Sequence, residues 1–250
     1  MKSVNDRRAL FRSLHNEGCF ALPNPWDGGS AVRFAKAGFK ALASSSAGAA
    51  WALGKEDGEM NLEQVLDHLR FLCSVTDLPV NADFETGFAD GLDELQSNVT
   101  RCIATGVAGL SIEDRNGSVF FPLDAAVDRI AAARKAIDIS GEDVILVGRC
   151  EAYLMKELNM DEVIHRLRAY SNAGADCLYA PGLKKIDDIA KLVQSVDKPL
   201  NANLSGTGLS VDDMATVGVR RVSVGAALAK ASYAAIDVFV EKLKSEDKLP

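Results

Sequence analysis

In the segment NADFETGFAD (81–90), Asn81, Asp83 and Glu85 alternate with Ala82 and Phe84. On an extended chain this spacing puts three polar side chains on one face and the apolar ones on the other. The preceding DLPV enters like a buried strand, and a buried carboxylate must be paired, hydrogen-bonded or metal-bound to escape a large desolvation penalty. Polar groups close other short apolar runs in the same way: Ser44, Ser45 and Ser46; Glu113 and Asp114; Arg149 and Glu151; Asn201 and Asn203. Asp57 follows the second of these runs, whereas the run starts, Pro79, Gly109, Val144 and Pro199, are plain. Three or four carboxylates on one rim cannot all stay ionised without positive charge between them. A hard divalent cation supplies it, and Mg²⁺ fits best because it takes oxygen ligands and keeps several waters. A ring of ion pairs is the competing reading, but Arg149 can serve one acid and not four. His15, His68 and His165 all fall in helical patterns, which argues against zinc.

The elements that must carry these residues are short apolar or alternating runs at 19–23, 41–46, 79–85, 109–114, 144–150, 177–181, 199–204 and 221–225. Helical periodicity separates them, as in NLEQVLDHLRFLCSV (61–75) and DEVIHRLRAYSNAG (161–174). NLEQ and SVDD supply capping-box starts at Asn61 and Ser210. One junction recurs: KAGFKAL, ATGVAGL, NAGADCL and TVGVRRV each set a Gly after a helix and just before a strand. A left-handed helix end that only Gly adopts without strain explains that position. Eight strands alternating with helices, with no linker or low-complexity run, predict an α/β chain forming one (β/α)₈ barrel over residues 1–250. An open doubly wound sheet is the alternative, but it usually has fewer strands and a Gly-rich first turn. In a barrel, the polar groups named above fall at the C-terminal strand ends, where such folds do chemistry.

Composition narrows the function classes. The net charge of −7 with no basic tract argues against nucleic acid or a membrane surface as partner. No apolar run approaches bilayer length, and MKSVNDRRALFRSLH lacks the apolar core of a secretory signal. The five dispersed cysteines match no zinc or redox spacing and read as reduced thiols in a cytoplasmic protein. There is no Walker or GxGxxG fingerprint for a nucleotide.

Taken in order, NPWDGGSAVRFAKAGFKAL, SSSAGAAWALGKEDGE, ADFETGF, GLSIED, GRCEAYL and RVSVGAALAKA resemble the isocitrate lyase/phosphoenolpyruvate mutase superfamily over most of the chain. The resemblance implies a Mg²⁺ site in which Asp83 binds the metal most directly, with Asp57, Glu85 and Glu113 acting largely through waters. It implies that a small 2-oxo acid or enolpyruvate-type substrate chelates that metal, its carboxylate held by Ser46 and the N–H groups of Ala47 and Gly48, with Arg149 meeting negative charge from another side. Arg149, Ser46 and Asp57 are then the expected catalytic set, and Asn203 a further substrate contact. The implied chemistry is cleavage or formation of a bond to C3 through a metal-stabilised enolate. The family's Lys-Lys/Arg-Cys-Gly loop is replaced by IEDRNGSVFFPLDAA, which has neither Lys nor Cys. Oxaloacetate-type decarboxylation survives that loss best; phosphorus–carbon chemistry and a non-catalytic Mg²⁺/oxo-acid-binding barrel remain the alternatives. Arg115 and Asn116 read as a solvated turn, Cys150 as facing the helices, and Asp27 as a helix cap. Ala89 stands where the family often has Gly. A homo-oligomer, dimer or tetramer, is expected, although little chain follows the eighth helix for the exchange seen in longer relatives.

Overall fold

The computed structural model describes residues 2–156 and 159–246. Its strands are β1 (Phe20–Ala21), β2 (Leu42–Ala43), β3 (Val80–Asp83), β4 (Gly109–Glu113), β5 (Arg115–Asn116), β6 (Val119–Phe120), β7 (Ile145–Arg149), β8 (Cys177–Tyr179), β9 (Leu200–Asn203) and β10 (Arg221–Ser223). All but β5 and β6 form one parallel sheet in the order β1-β10-β9-β8-β7-β4-β3-β2, and β5 pairs with β6 as a small antiparallel hairpin. The two ends of the large sheet meet: Ala43 N–H donates to Pro23 O at 3.1 Å. Asn24 staples the same seam, its Nδ2 donating to Ser44 O (3.0 Å) while its Oδ1 accepts from Val224 and Gly225 N–H (3.0 and 2.9 Å). The expected (β/α)₈ barrel is therefore present, closed by few but well-placed bonds.

Each expected strand begins within one residue of the observed one but overshoots at its C-terminal end. There the chain leaves the ladder to make site contacts, as when Asp83 N–H donates to Ser44 Oγ at 2.8 Å. The helices are α1 (Val4–Leu14), α2 (Gly28–Lys36), α3 (Ser46–Ala52), α4 (Leu62–Val75), α5 (Leu92–Ile103), α6 (Leu123–Ser140), α7 (Ala152–Met155), α8 (Met160–Asn172), α9 (Ile186–Ser195), α10 (Val211–Thr216) and α11 (Ala227–Glu246). Asn61 and Ser210 head α4 and α10 through the expected capping boxes, and Asp27 caps α2. The junction glycines Gly38, Gly106, Gly174 and Gly218 lie one or two residues beyond the cap, with φ of 87–105°.

The core lies between sheet and helices, where Ala82, Phe84, Leu110, Leu146 and Cys150 are essentially inaccessible. Cys150 thus faces the helices as expected. Two findings depart from the sequence reading. The charged N-terminal segment forms α1, whose Phe11 packs edge-on to His15 and Phe20 and plugs the barrel's N-terminal end. Only the start of α11 packs well: Ala229 is buried, whereas Ile236, Val238, Phe239, Val240 and Leu243 stand exposed. The helix read as completing the barrel wall leaves an apolar face without a neighbour.

Candidate active site

The outward turn of the chain at each C-terminal strand end brings the polar residues into one mouth. A cavity of about 230 Å³ descends from it, lined by Ser46, Ala47, Asp57, Asp83, Arg115, Arg149, Tyr179 and Asn203 among others. A smaller one of about 160 Å³ adjoins it, and Glu85 and Glu113 face it together with Ser46, Asp57, Arg115 and Arg149.

Arg149, at the end of β7, is the hub. Its Nη1 lies 2.9 Å from Asp83 Oδ1 and 3.3 Å from Glu113 Oε2, and its Nε donates to Glu151 Oε1 at 2.5 Å. The guanidinium sits over the Tyr179 ring, 5.4 Å from its centroid. Burial pulls the Arg149 pKa down, but Glu113, Glu151 and Asp83 outweigh it and hold the charge firmly on. The expectation that this arginine could serve only one acid is corrected: it touches three, because β3, β4 and β7 are adjacent in the sheet and their ends converge. Arg115 is corrected as well. It is not a solvated turn: β5 directs it inward, with Nε 2.9 Å from Glu151 Oε2 and 3.6 Å from Glu113 Oε1.

Asp83 has both oxygens engaged, Oδ1 by Arg149 and Oδ2 by Ser46 N–H (3.2 Å) and Ser46 Oγ (2.9 Å). Ser46 is thus tied to the principal acid. Gly48, expected to offer its N–H to substrate, does not: that N–H donates to Ser45 Oγ at 3.1 Å, since Ser45 caps α3. Ala47 does line the cavity. Asn203 is present at the mouth, but its Oδ1 accepts from Ser205 N–H (2.8 Å) and its Nδ2 donates to Tyr179 OH (3.3 Å). Asp57 stands on the exposed edge, where partial burial and then Asp83 raise its pKa.

The segment after β3 is held from behind. Arg129 donates to the carbonyls of Thr86 (2.5 Å), Ala89 (2.7 Å) and Asp90 (3.4 Å), and Asn98 to those of Gly87 (3.0 Å) and Phe88 (2.9 Å). Positive φ falls on Glu85, Gly87 and Phe88, not on Ala89, so alanine is accommodated there. Asp114 works behind the sheet: its Oδ1 accepts from Glu151 N–H (2.8 Å) and its Oδ2 from Tyr170 OH (2.5 Å). Sequence reading passed over Tyr179, Arg129 and Asn24. Tyr179, two residues after inward-facing Cys177, carried an alternation signal; the other two act through loops whose placement is tertiary.

Five carboxylates (Asp57, Asp83, Glu85, Glu113, Glu151) surround the two adjoining cavities against three guanidiniums (Arg115 and Arg149 at the mouth, Arg221 deeper). Burial, then Asp83 and Asp57, push Glu85 up to about 7, and burial with Glu151 and Asp83 raises Glu113 despite Arg149. The all-oxygen donor set and its surplus negative charge fit a hard divalent cation. Among the described residues no three acidic or thiol/imidazole groups stand close enough to enclose a metal ion. The fit is therefore to a cation that takes one direct carboxylate and reaches the rest through waters, the habit of Mg²⁺.

The raised Glu85 has a consequence for stability. The folded state keeps a proton that the unfolded chain releases above its ordinary value of 4.5. This contribution is complete below about 4.5 and is lost as pH rises through about 7, a fall of roughly 3 kcal/mol. Urea unfolding without divalent cation, across pH 5 to 8, should show a steeper decline in the wild type than in Glu85→Gln, where the raised Glu113 still loses its proton. Equal slopes in the two proteins would contradict it.

Fold and site together define a parallel barrel with an acidic, oxygen-rich mouth at its C-terminal end. The model of the phosphoenolpyruvate phosphomutase family matches residues 11–244, and the chain belongs to that family. A probable 2-methylisocitrate lyase of Corynebacterium glutamicum is 31% identical over 81% of this chain and 67% of its own. An oxaloacetate decarboxylase of Pseudomonas putida is 29% identical over 97% of this chain and 85% of its own. Among solved structures, one from Burkholderia cenocepacia J2315, described only provisionally as a lyase/mutase, is 40% identical with a TM-score of 0.95, covering 98% of this chain and 91% of that one. Oxaloacetate acetylhydrolase in complex with its product oxalate is 26% identical with a TM-score of 0.92, covering 100% and 90%. The chain is an enzyme of the lyase type found in the isocitrate lyase/phosphoenolpyruvate mutase superfamily.

Proposed function

We propose that this chain is a Mg²⁺-dependent enzyme that binds a small 2-oxo acid in the barrel mouth and breaks a bond to C3, with oxaloacetate-type decarboxylation the reaction it suits best. The observation that carries the proposal is the convergence at the mouth of Asp57, Asp83, Glu85 and Glu113 on only two guanidiniums, Arg115 and Arg149, beside Ser46 and Ala47. Asp83 would hold the cation directly, with Asp57, Glu85 and Glu113 reaching it through water. The bound cation supplies a Lewis acid that polarises the keto oxygen and stabilises negative charge developing there. Ser46 Oγ and the Ala47 N–H orient the substrate carboxylate. Arg149, kept in place by Glu151 and the Tyr179 ring, presents a forked donor to the same anion once Asp83 turns to the cation.

The hairpin after β4 favours decarboxylation over isocitrate or methylisocitrate cleavage, since it delivers Arg115 and neither Lys nor Cys. Support also comes from relatives named for oxaloacetate chemistry. The test is purified protein with Mg²⁺ and a panel of 2-oxo acids and phosphonopyruvate. Pyruvate release from oxaloacetate or a C3-substituted analogue is expected. Release only from phosphonopyruvate favours phosphorus–carbon chemistry, and Mg²⁺-dependent oxalate binding with no turnover makes the chain a binding protein.

A reducing, cytoplasmic setting belongs to the same reading, supported by five unpaired cysteines, four of them buried. No helix among the described residues is long and apolar enough to cross a membrane. The exposed face of α11 supports a homo-oligomer. Sedimentation should find a dimer or tetramer that Phe239→Glu with Val240→Glu dissociates; a monomeric wild type contradicts it.

A further inference from the structure

Once a bond to C3 breaks, that carbon has to gain a proton, and the hairpin after β4 brings neither Lys nor Cys to supply it. Asp57, Asp83, Glu85 and Glu113 are committed to the cation in the proposed reaction. Of the remaining described groups lining the larger cavity, the phenol of Tyr179, at the end of β8, is the most acidic. In the closed sheet β8 stands four strands from β2 by either path. Tyr179 and the Ser46–Ala47 pair therefore occupy opposite walls of the mouth. A 2-oxo acid whose carboxylate rests at Ser46 extends its C3 toward the Tyr179 side.

Hydrogen-bond direction decides where the Tyr179 proton is free to go. Arg221, buried on β10, can only donate, and its Nε–H reaches Asn201 Oδ1 at 3.0 Å. That contact turns the amide nitrogen of Asn201 to Ser223, whose Oγ accepts from it at 3.0 Å. Ser223 keeps its own O–H to give, and it bonds to the Tyr179 oxygen. On the other side, Asn203 Oδ1 accepts from Ser205 N–H at 2.8 Å. Its Nδ2 is thus the atom that faces Tyr179 OH, donating at 3.3 Å. The phenol oxygen receives two hydrogen bonds, and its proton is left without an acceptor among the described residues. Burial raises the Tyr179 pKa, so the phenol holds its proton at neutral pH. Arg149, over the ring at 5.4 Å, and the bonds from Asn203 and Ser223 favour the phenolate that a transfer would leave.

We infer that Tyr179 is the acid that protonates C3, an assignment that rests on the proposed function above. The bond from C3 to its carboxylate breaks, CO2 leaves, and the electron pair of that bond passes into an enolate. The enolate carbon, a far stronger base than a phenolate, takes the Tyr179 proton; the C3–H bond forms and the C2 carbonyl returns. The phenolate recovers its proton from water at the open mouth.

A single turnover of oxaloacetate, with enzyme and Mg²⁺ in excess, tests the assignment when CO2 and keto product are recorded in parallel, the latter through lactate dehydrogenase and NADH. In the wild type the two should appear together. Tyr179→Phe keeps the ring beneath Arg149 and should delay pyruvate behind CO2, with protonation on the enzyme slowed at least about 100-fold. Ser223→Ala removes one hydrogen bond from the phenolate and should produce a shorter lag. Simultaneous CO2 and pyruvate in a folded Tyr179→Phe protein would overturn the assignment while leaving decarboxylation in place. Should Tyr179→Phe not fold, Ser223→Ala decides in its stead, and the absence of any lag there overturns the assignment. A wild type that frees no CO2 from oxaloacetate or a C3-substituted analogue overturns both this role and the reaction it serves.

Discussion

Arg149→Leu should lower the unfolding free energy by about 3–5 kcal/mol at pH 8, the largest loss expected from any single change at the mouth. The cause is not the arginine's own contacts but what it leaves behind. Glu151 is 0% exposed, Glu113 8% and Asp83 19%, and all three turn their oxygens toward one guanidinium. Without it they can escape the low-dielectric mouth only by taking up protons. The loss should therefore shrink toward pH 5, and Mg²⁺ should recover part of it at pH 8 by standing in for the missing charge. Urea unfolding at the two pH values, with and without Mg²⁺, reads all three effects. A loss under about 1 kcal/mol at pH 8 would mean that Arg115 or solvent already balances the acids.

Asp83→Ala should leave the fold intact while weakening Mg²⁺-dependent oxalate binding at least about 100-fold. The two expectations separate because the backbone and the side chain of Asp83 have different partners. Its N–H is held by Ser44 Oγ at 2.8 Å and remains held in alanine. Its carboxylate meets Ser46 and Arg149, the groups between which cation and substrate would have to settle. Calorimetric titration with oxalate, alongside a thermal melt, distinguishes a lost site from a lost fold. Unchanged oxalate affinity in a folded Asp83→Ala protein would move the cation elsewhere.

What could be read from the chain, and what could not, divides along a physical line. Period-two and helical spacing, the capping boxes at Asn61 and Ser210, and the four Gly junctions are properties of neighbours in sequence, so they yielded the eight strands and the barrel before any coordinates. The side on which Asp83, Glu113, Arg149 and Asn203 emerge followed from strand alternation alone. Which of these groups are spent on one another did not. Arg149 meets acids 66, 36 and 2 residues away in the chain. Arg115 turns inward only because a hairpin folds back, and Gly48 loses its N–H to Ser45. Local spacing decides which residues share a face; distances between strands decide which charges cancel, and those exist only once the sheet has closed.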